Sequence, residues 1–275
     1  MKTLPLLLLL FALPALGQDL ALREFEKKGF AALNAKDYAA CAPIFAAATI
    51  EYRPEPSPPF LAARCYAGLG IGQAPRLLKR AIERGFRNCR AIARDENLAK
   101  FTKLMARCEA NAEAFVRRSN PELLAAYLGD RADRSGEITD PAAVKKRDEM
   151  RHEVVRIAIA RRSLKTADDY LHAALVMQHG SSPDDYAAAR DLAKKAVELR
   201  PWLAEARWLY AAATDRYLQS IGKPQIFGTQ YRFADGKWTL EPFDPSAITN
   251  QERARWRTHS LAERRRFIEE LNQRE

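Results

Sequence analysis

Four residues in the second half of the chain have side chains suited to acid–base chemistry: Asp130, His172, His179 and Asp215. A histidine exchanges a proton near neutral pH, and a carboxylate beside it fixes which ring nitrogen carries that proton, so the set fits a hydrolase-type catalytic site. Asp168 stands four residues before His172, one helical turn away, where it can orient the imidazole. Arg134 and Arg216 can hold an anionic group, and Gln178, Gln225 and Gln230 add neutral hydrogen-bonding groups, so these five make the candidate binding set. No G-x-S-x-G elbow and no glycine-rich phosphate loop occurs, and the cysteines lie in the other half, so the sequence offers no nucleophile. The same histidines and aspartates are acceptable metal ligands. However, the step from His172 to His179 separates their backbones by about 10.5 Å along a helix, whereas helix-borne ligand pairs stand three or four residues apart. The expectation is no metal and no other cofactor. A purely structural alternative has His179, Asp215, Arg216 and Gln230 in a buried hydrogen-bond network that pins a loop and hairpin against two helices.

The elements that must position these residues are mostly helical. Asn120-Pro121 starts a helix that carries Asp130, Arg131 and Arg134 and ends at Ser135-Gly136, and a long charged helix runs from Pro141 to about Arg162. Thr166 with Asp169 reads as a capping-box start for a helix that holds His172, Gln178 and His179 and ends at Gly180. Pro183 opens a helix through Leu199, and Trp202 to Ser220 is its partner, with Asp215 on a flank beside Trp208 and Ala212. Beyond Gly222 the period changes: Gln230 to Phe233 and Lys237 to Leu240 flank Ala234-Asp235-Gly236 as a β-hairpin does, near residues 229–241. A single last helix is expected from Asn250 to Leu271. It holds the densest basic stretch, Arg253, Arg255, Arg257, Arg264, Arg265 and Arg266, read as a helix exposed on one side.

The first half repeats itself. Gly29, Tyr38, Cys41, Phe45, Ala48 and Pro54 follow a small, aromatic, small, aromatic, small, proline order, and Ala62, Cys65, Ala74, Leu78 and Ala81 take equivalent places. The offset from Ala48 to Ala81 is 33 residues, close to the roughly 34 of stacked helix pairs. Small residues let antiparallel helices approach closely while aromatic rings fill the gap to the next pair. Pro54 to Pro59 reads as a proline-rich linker, and Glu96 to Arg117 as a further helix closing the core. The four cysteines, Cys41, Cys65, Cys89 and Cys108, permit three pairings, and none has C-x-x-C spacing. Cys41 and Cys65, on adjacent helices, can bridge, although buried small thiols suit the same positions.

The first-half pattern resembles tetratricopeptide repeats. The second-half run of His172, Gln178-His179, Asp215-Arg216, Gly222-Lys223-Pro224-Gln225 and Phe227-Gly228-Thr229-Gln230 resembles the bacterial domain of unknown function 6624 family over about Pro121 to Leu271. That family shows Asp-Gln-x-x-Arg near its start. Here Asp130 and Arg134 keep the outer positions and Arg131 replaces the Gln. The resemblance implies a grouping and no mechanism.

Lys2, the apolar run from Leu6 to Leu16 and the small residues before Gln18 read as a secretory signal peptide over residues 1–17, too short to span a bilayer. The expected chain is then exported, periplasmic or secreted, in an oxidising compartment. Its net charge of +10 comes from 45 basic and 35 acidic residues interleaved along almost every helix, which argues against nucleic acid as a partner. The sequence therefore predicts an all-α chain: tetratricopeptide-like helix pairs over residues 18–120 and a helical domain with one hairpin over 121–275. The function expected is binding of an envelope or secreted protein partner through the first domain, on analogy of fold. The alternative is a hydrolase using the His, Asp and Arg residues of the second.

Overall fold

The computed structural model describes residues 27–51, 55–135, 140–240 and 242–273; the signal-peptide segment and Pro54 lie outside them. The described residues form thirteen helices and one two-stranded antiparallel sheet, so the fold is all-α with a small hairpin. None of these helices is long and apolar enough to cross a membrane. The chain divides into two compact units, Met1–Arg118 and Ser119–Glu275.

The first unit holds α1 (27–34), α2 (Tyr38–Glu51), α3 (Ser57–Gly68), α4 (Ala74–Glu83), α5 (Cys89–Arg94) and α6 (Thr102–Arg118). Helices α2, α3 and α4 pack in sequence, and α6 packs on α4 and α5. The residues of the repeat pattern are its core: Cys41, Phe45, Ala48, Ala62, Cys65, Ala74, Leu78 and Ala81 are all buried. The small-against-large logic is literal at Gly29, where an added Cβ would lie 2.5 Å from the Phe45 ring. Two disulfides staple the unit, Cys41 to Cys65 between α2 and α3, and Cys89 to Cys108 between α5 and α6. Two local expectations are corrected. Pro58 and Pro59 sit buried in the first turn of α3, where proline lacks only an amide that has no intrahelical partner, so the linker is shorter than read. The helix expected from Glu96 begins at Thr102, because Asp95 turns the chain by accepting from the amides of Asn97 and Leu98.

The second unit begins with α7 (Pro121–Asp133), α8 (Pro141–Ala160), α9 (Ala167–Met177), α10 (Pro183–Leu199) and α11 (Ala204–Ser220). Helix α9 packs against α7, α8 and α10, and α10 against α11, around Val155, Ala173, Ala174, Ala193 and Leu209. Capping boxes at Thr166 with Asp169 and Ser182 with Asp185 fix the starts of α9 and α10. The hairpin pairs β1 (Arg232–Ala234) with β2 (Lys237–Thr239), Phe233 opposite Trp238. Its two-residue turn, Asp235-Gly236, has φ of 52° and 74°, the left-handed pair that a tight hairpin needs. The expected last helix is two: α12 (Asn250–Arg255) and α13 (Leu261–Asn272). The break follows from Arg257 at φ 57° and from Ser260, which starts a new capping box with Glu263. Asn272 holds α13 to β2 by accepting from the Trp238 amide at 2.6 Å and donating to its carbonyl at 3.1 Å.

Candidate functional site

Most of the polar residues singled out in the sequence fall into two separate sets, and His172, Asp168, Gln178 and Arg216 belong to neither. The first is built where α7, α8 and the end of α9 meet. Asp130 and Arg134 lie one turn apart at the end of α7, so both reach the same side. Asp130 is buried, and its Oδ1 accepts from Arg134 Nη1 at 2.6 Å and contacts His179 Nδ1 at 2.8 Å. His179 follows the C-cap of α9, its amide still bonded to the Val176 carbonyl, so the helix end aims the ring at α7. A carboxylate only accepts, so Nδ1 carries the proton in the neutral ring and Nε2 is left as the acceptor.

Helix α8 closes the back of this pair with a lattice of alternating charge. Arg134 also reaches Asp148 through Nη2 at 2.6 Å, Asp148 accepts from Arg151 at 2.8 Å, and Arg151 and Arg147 both hold Asp133, at 2.5 and 2.8 Å. The hydrogen bonds from Arg147 and Arg151 lower the Asp133 carboxyl to about 2. Burial works to raise Asp148, but the bonds and charges of Arg134 and Arg151 outweigh it and hold that carboxyl below its ordinary value. Three carboxylates against three guanidinium groups leave the lattice neutral and Arg134 unable to swing away cheaply.

In front of the pair lies a cavity of ≈ 540 Å³ lined by Tyr127, Asp130, Arg131, Arg134, Leu175, His179 and Glu205. A smaller one of ≈ 230 Å³, lined by Asp148, His152 and Ser181, also has His179 in its wall. With its side chain 20% exposed, His179 is thus accessible while Asp130 is sealed beneath it. Arg131 donates to the Tyr127 hydroxyl at 3.0 Å, a neutral partner. At the rim, surrounding protein raises the Glu205 carboxyl above its ordinary value by desolvation, with the Arg131 charge pulling the other way. Close approach matters at Gly180, where an added Cβ would stand 2.3 Å from the Asp185 side chain, so the turn after His179 has no room for a larger residue.

His172 is not in this constellation. It is buried on α9 with its ring stacked on Tyr127, centroids 4.3 Å apart at 11°, and so it supports the cavity wall. Asp168 takes two bonds from Arg200, at 3.1 and 2.6 Å, tying the start of α9 to the end of α10. His152 is a buried residue of α8 whose Nε2 lies 3.2 Å from the Val176 carbonyl. Gln178 is buried as the C-cap of α9, where its carbonyl accepts from Arg216 at 3.3 Å.

The second set is a loop clamp. Asp215, fully buried on α11, accepts four bonds: Oδ1 from the amides of Ile226 and Phe227 at 2.8 and 2.9 Å, Oδ2 from the amide and hydroxyl of Thr229 at 2.8 and 2.7 Å. Burial raises its carboxyl above the ordinary value against the pull of these donors. Arg253, equally buried on α12, donates to the carbonyls of Ile226 and Phe227 at 2.7 and 3.0 Å. One loop therefore has its amides held by an acid and its carbonyls by a base. Gln225 is buried inside the same loop, donating to the Gln230 and Leu240 carbonyls and accepting from the Gln230 amide. The Gln230 side chain donates to Thr229 Oγ1 at 2.9 Å. Of the network expected from the sequence, Asp215 and Gln230 meet on this loop, joined by Arg253; His179 pairs with Asp130 instead, and Arg216 donates to the Gln178 carbonyl. The basic stretch is corrected in the same way, since Arg253 and Arg264 are buried rather than facing solvent. The flank expected for Asp215 divides, Asp215 inside and Trp208 42% exposed.

Sequence reasoning passed over Asp148, Arg151, Tyr127 and Glu205. The first two carried a signal, an acid and a base three apart on one face of α8. Arg253 carried none, because its partners are carbonyls some 26 residues away. Among the described residues no group of three or more His, Cys, Asp or Glu side chains is arranged to hold a metal ion. No protein-family model, curated protein or solved structure matches the chain.

Proposed function

We propose that the second unit is a hydrolase-type catalytic unit in which His179 acts as general base, positioned by Asp130. The observation that carries this reading is the 2.8 Å contact between a sealed carboxylate and the Nδ1 of an accessible imidazole on the wall of a ≈ 540 Å³ cavity. In that arrangement Nε2 takes a proton from water, the hydroxide formed attacks an acyl or phosphoryl centre, and the proton passes to the leaving group. Glu205 lines the same cavity, where desolvation raises its carboxyl above the ordinary value. We place the chain outside the cytoplasm: the two disulfides and the signal-like N-terminus support export to the periplasm or beyond. Kinship with the domain of unknown function 6624 family stays part of this proposal, and three of the residues on which the resemblance rests are the Asp130–His179 pair and the Arg134 bonded to it.

The test is hydrolysis of a panel of nitrophenyl carboxylate, phosphate and glycoside esters and of nitroanilides by the purified chain. His179→Gln should remove turnover, and Asp130→Asn should reduce it by about 10² to 10⁴ without moving the urea midpoint by a comparable fraction. A wild-type chain inert toward every class, or a His179→Gln variant with the parent rate, would overturn the reading.

A second reading assigns protein binding to the first unit. It is favoured by the buried small-and-aromatic repeat order of Cys41, Phe45, Cys65 and Ala81, and Ile50, 64% exposed on α2, is a surface position at which to test it. Enrichment of one envelope protein by the chain, lost in Ile50→Glu, supports it; enrichment of nothing beyond a charge-matched control counts against it.

A further inference from the structure

A separate cavity of ≈ 390 Å³ opens between β2 and α13. Its size falls within the range of about 300–1,000 Å³ that small-molecule sites occupy. Its walls include Trp238, Leu240 and Phe243, and its cations are Lys237, Arg264 and Arg265. Among the described residues no carboxylate lines it.

Arg264 is the decisive residue. It is only 4% exposed, yet among the described residues its one side-chain hydrogen bond goes to the neutral Tyr231 hydroxyl, whose ring centroid lies 5.5 Å from the guanidinium carbon, and its buried Nε has no partner there. No ion pair reaches it among the described residues, whereas Arg134, Arg151 and Arg200, also largely enclosed, each hold an aspartate. Arg253, the other deeply buried arginine, shares the unpartnered Nε but donates through both Nη atoms to the carbonyls of Ile226, Phe227 and Pro245, where Arg264 has only the Tyr231 hydroxyl among the described residues. A guanidinium withdrawn from water without a counter-charge is costly, and an anion entering from the cavity removes that cost. The apolar walls set the rest of the ligand, since burying a tail against rings and aliphatic side chains stabilises the complex in proportion to the area covered.

We propose that this groove binds a small amphiphilic anion, a carboxylate or phosphate head on an apolar tail, with Arg264 taking the head, Lys237 and Arg265 at the rim, and the tail along Trp238, Leu240 and Phe243. The site is distinct from the His179 cavity, so neither proposal depends on the other.

Isothermal titration of the full chain with decanoate, decyl phosphate, decanol and decylammonium tests it, alongside the ¹⁵N-indole resonance of Trp238, assigned with Trp238→Phe. One-to-one binding of decanoate or decyl phosphate is expected, with movement of the Trp238 resonance and with decanol weaker by roughly thirtyfold or more. The stronger of the two anions identifies the head. Arg264→Gln should weaken the anion by a similar factor. Because that change sits in the core, the exposed pair Lys237→Gln with Arg265→Gln gives a second reading, a loss of about two- to fivefold in a chain with parent stability. Decanol binding as tightly as decanoate, anion binding that leaves Trp238 unmoved or is indifferent to the rim pair, or no anion binding up to about 1 mM each overturns the proposal.

Discussion

Asp215→Asn is the sharpest perturbation of the fold that carries both sites. The substitution keeps the shape of the side chain, removes its charge and turns one of its two acceptor atoms into a donor. Four donors converge on this carboxylate, two on each oxygen. With the new NH2 on the Ile226 side two backbone donors lose their acceptor, and on the Thr229 side one does while the Thr229 hydroxyl turns to accept, at about 1–3 kcal/mol for each donor stranded; the surviving bonds drop from charge-assisted to neutral strength, a further loss of roughly 1 kcal/mol each. Against this stands relief of the desolvation that raises the carboxyl of Asp215. The net expected loss is about 3–5 kcal/mol, the range found when one member of a buried charged set is removed, and a large part of a stability of about 5–15 kcal/mol. Urea unfolding followed by tryptophan fluorescence reports on this unit, because Trp256 stacks on Tyr210 with centroids 3.9 Å apart. Combining the change with Arg253→Met in a double-mutant cycle should give strong non-additivity, since both residues hold Ile226 and Phe227. A loss below about 1 kcal/mol for Asp215→Asn would show that the clamp does not organise the loop.

Reducing the two disulfides should destabilise the first unit and leave the unfolding of the second unchanged. Sequence separations of 24 and 19 correspond to about 3 kcal/mol per bridge, read as midpoint shifts with and without reductant. Gly29→Ala should cost at least about 1–3 kcal/mol by overpacking against Phe45, whereas Gly72→Ala, with open space around its Cβ position, should not; paired urea curves decide. Stability of the second unit should fall on acidification from about pH 4 toward 2, since the unfolded chain takes up protons that Asp133, at about 2, and the lowered Asp148 and Asp185 still refuse in the fold. The raised Asp215 and Glu205 act with the opposite sign: what they contribute is present at low pH and is lost as pH rises through their folded values, which blunts the acid loss. Midpoints that stay flat from pH 5 to 2.5, or that rise on acidification, would contradict this balance.

What the sequence determined by itself is what local spacing and pattern encode. The capping box of Thr166 with Asp169 and the proline at Pro183 mark helix starts because cap and N3 partner stand three residues apart and a first-turn proline lacks only an amide that has no partner there. Asp235-Gly236 specifies the hairpin because the turn needs two left-handed residues in succession. Cys41, Phe45, Cys65 and Ala81 outline the first core because helix pairs repeat at a near-fixed period. Helix ends were less legible where one side chain sets them, as Asp95 does before α6 and Ser260 does at the break that splits the last helix. The tertiary structure alone decided how the polar residues divide. The sequence reads as one helix through both His172 and His179, but α9 ends at Met177, and the turn after its C-cap brings His179 onto Asp130, 49 residues away, while Tyr127 covers His172 within the helix. Asp215, Gln225, Gln230 and Arg253 look like site residues or surface charge in the sequence and prove to be a clamp on one loop. Arg264 stands in a solvent-like basic run and is withdrawn from water. Pattern reports the neighbours a residue has along its own element. Whether a charge meets an opposite charge, a backbone carbonyl or an open cavity depends on the packing of elements remote in sequence.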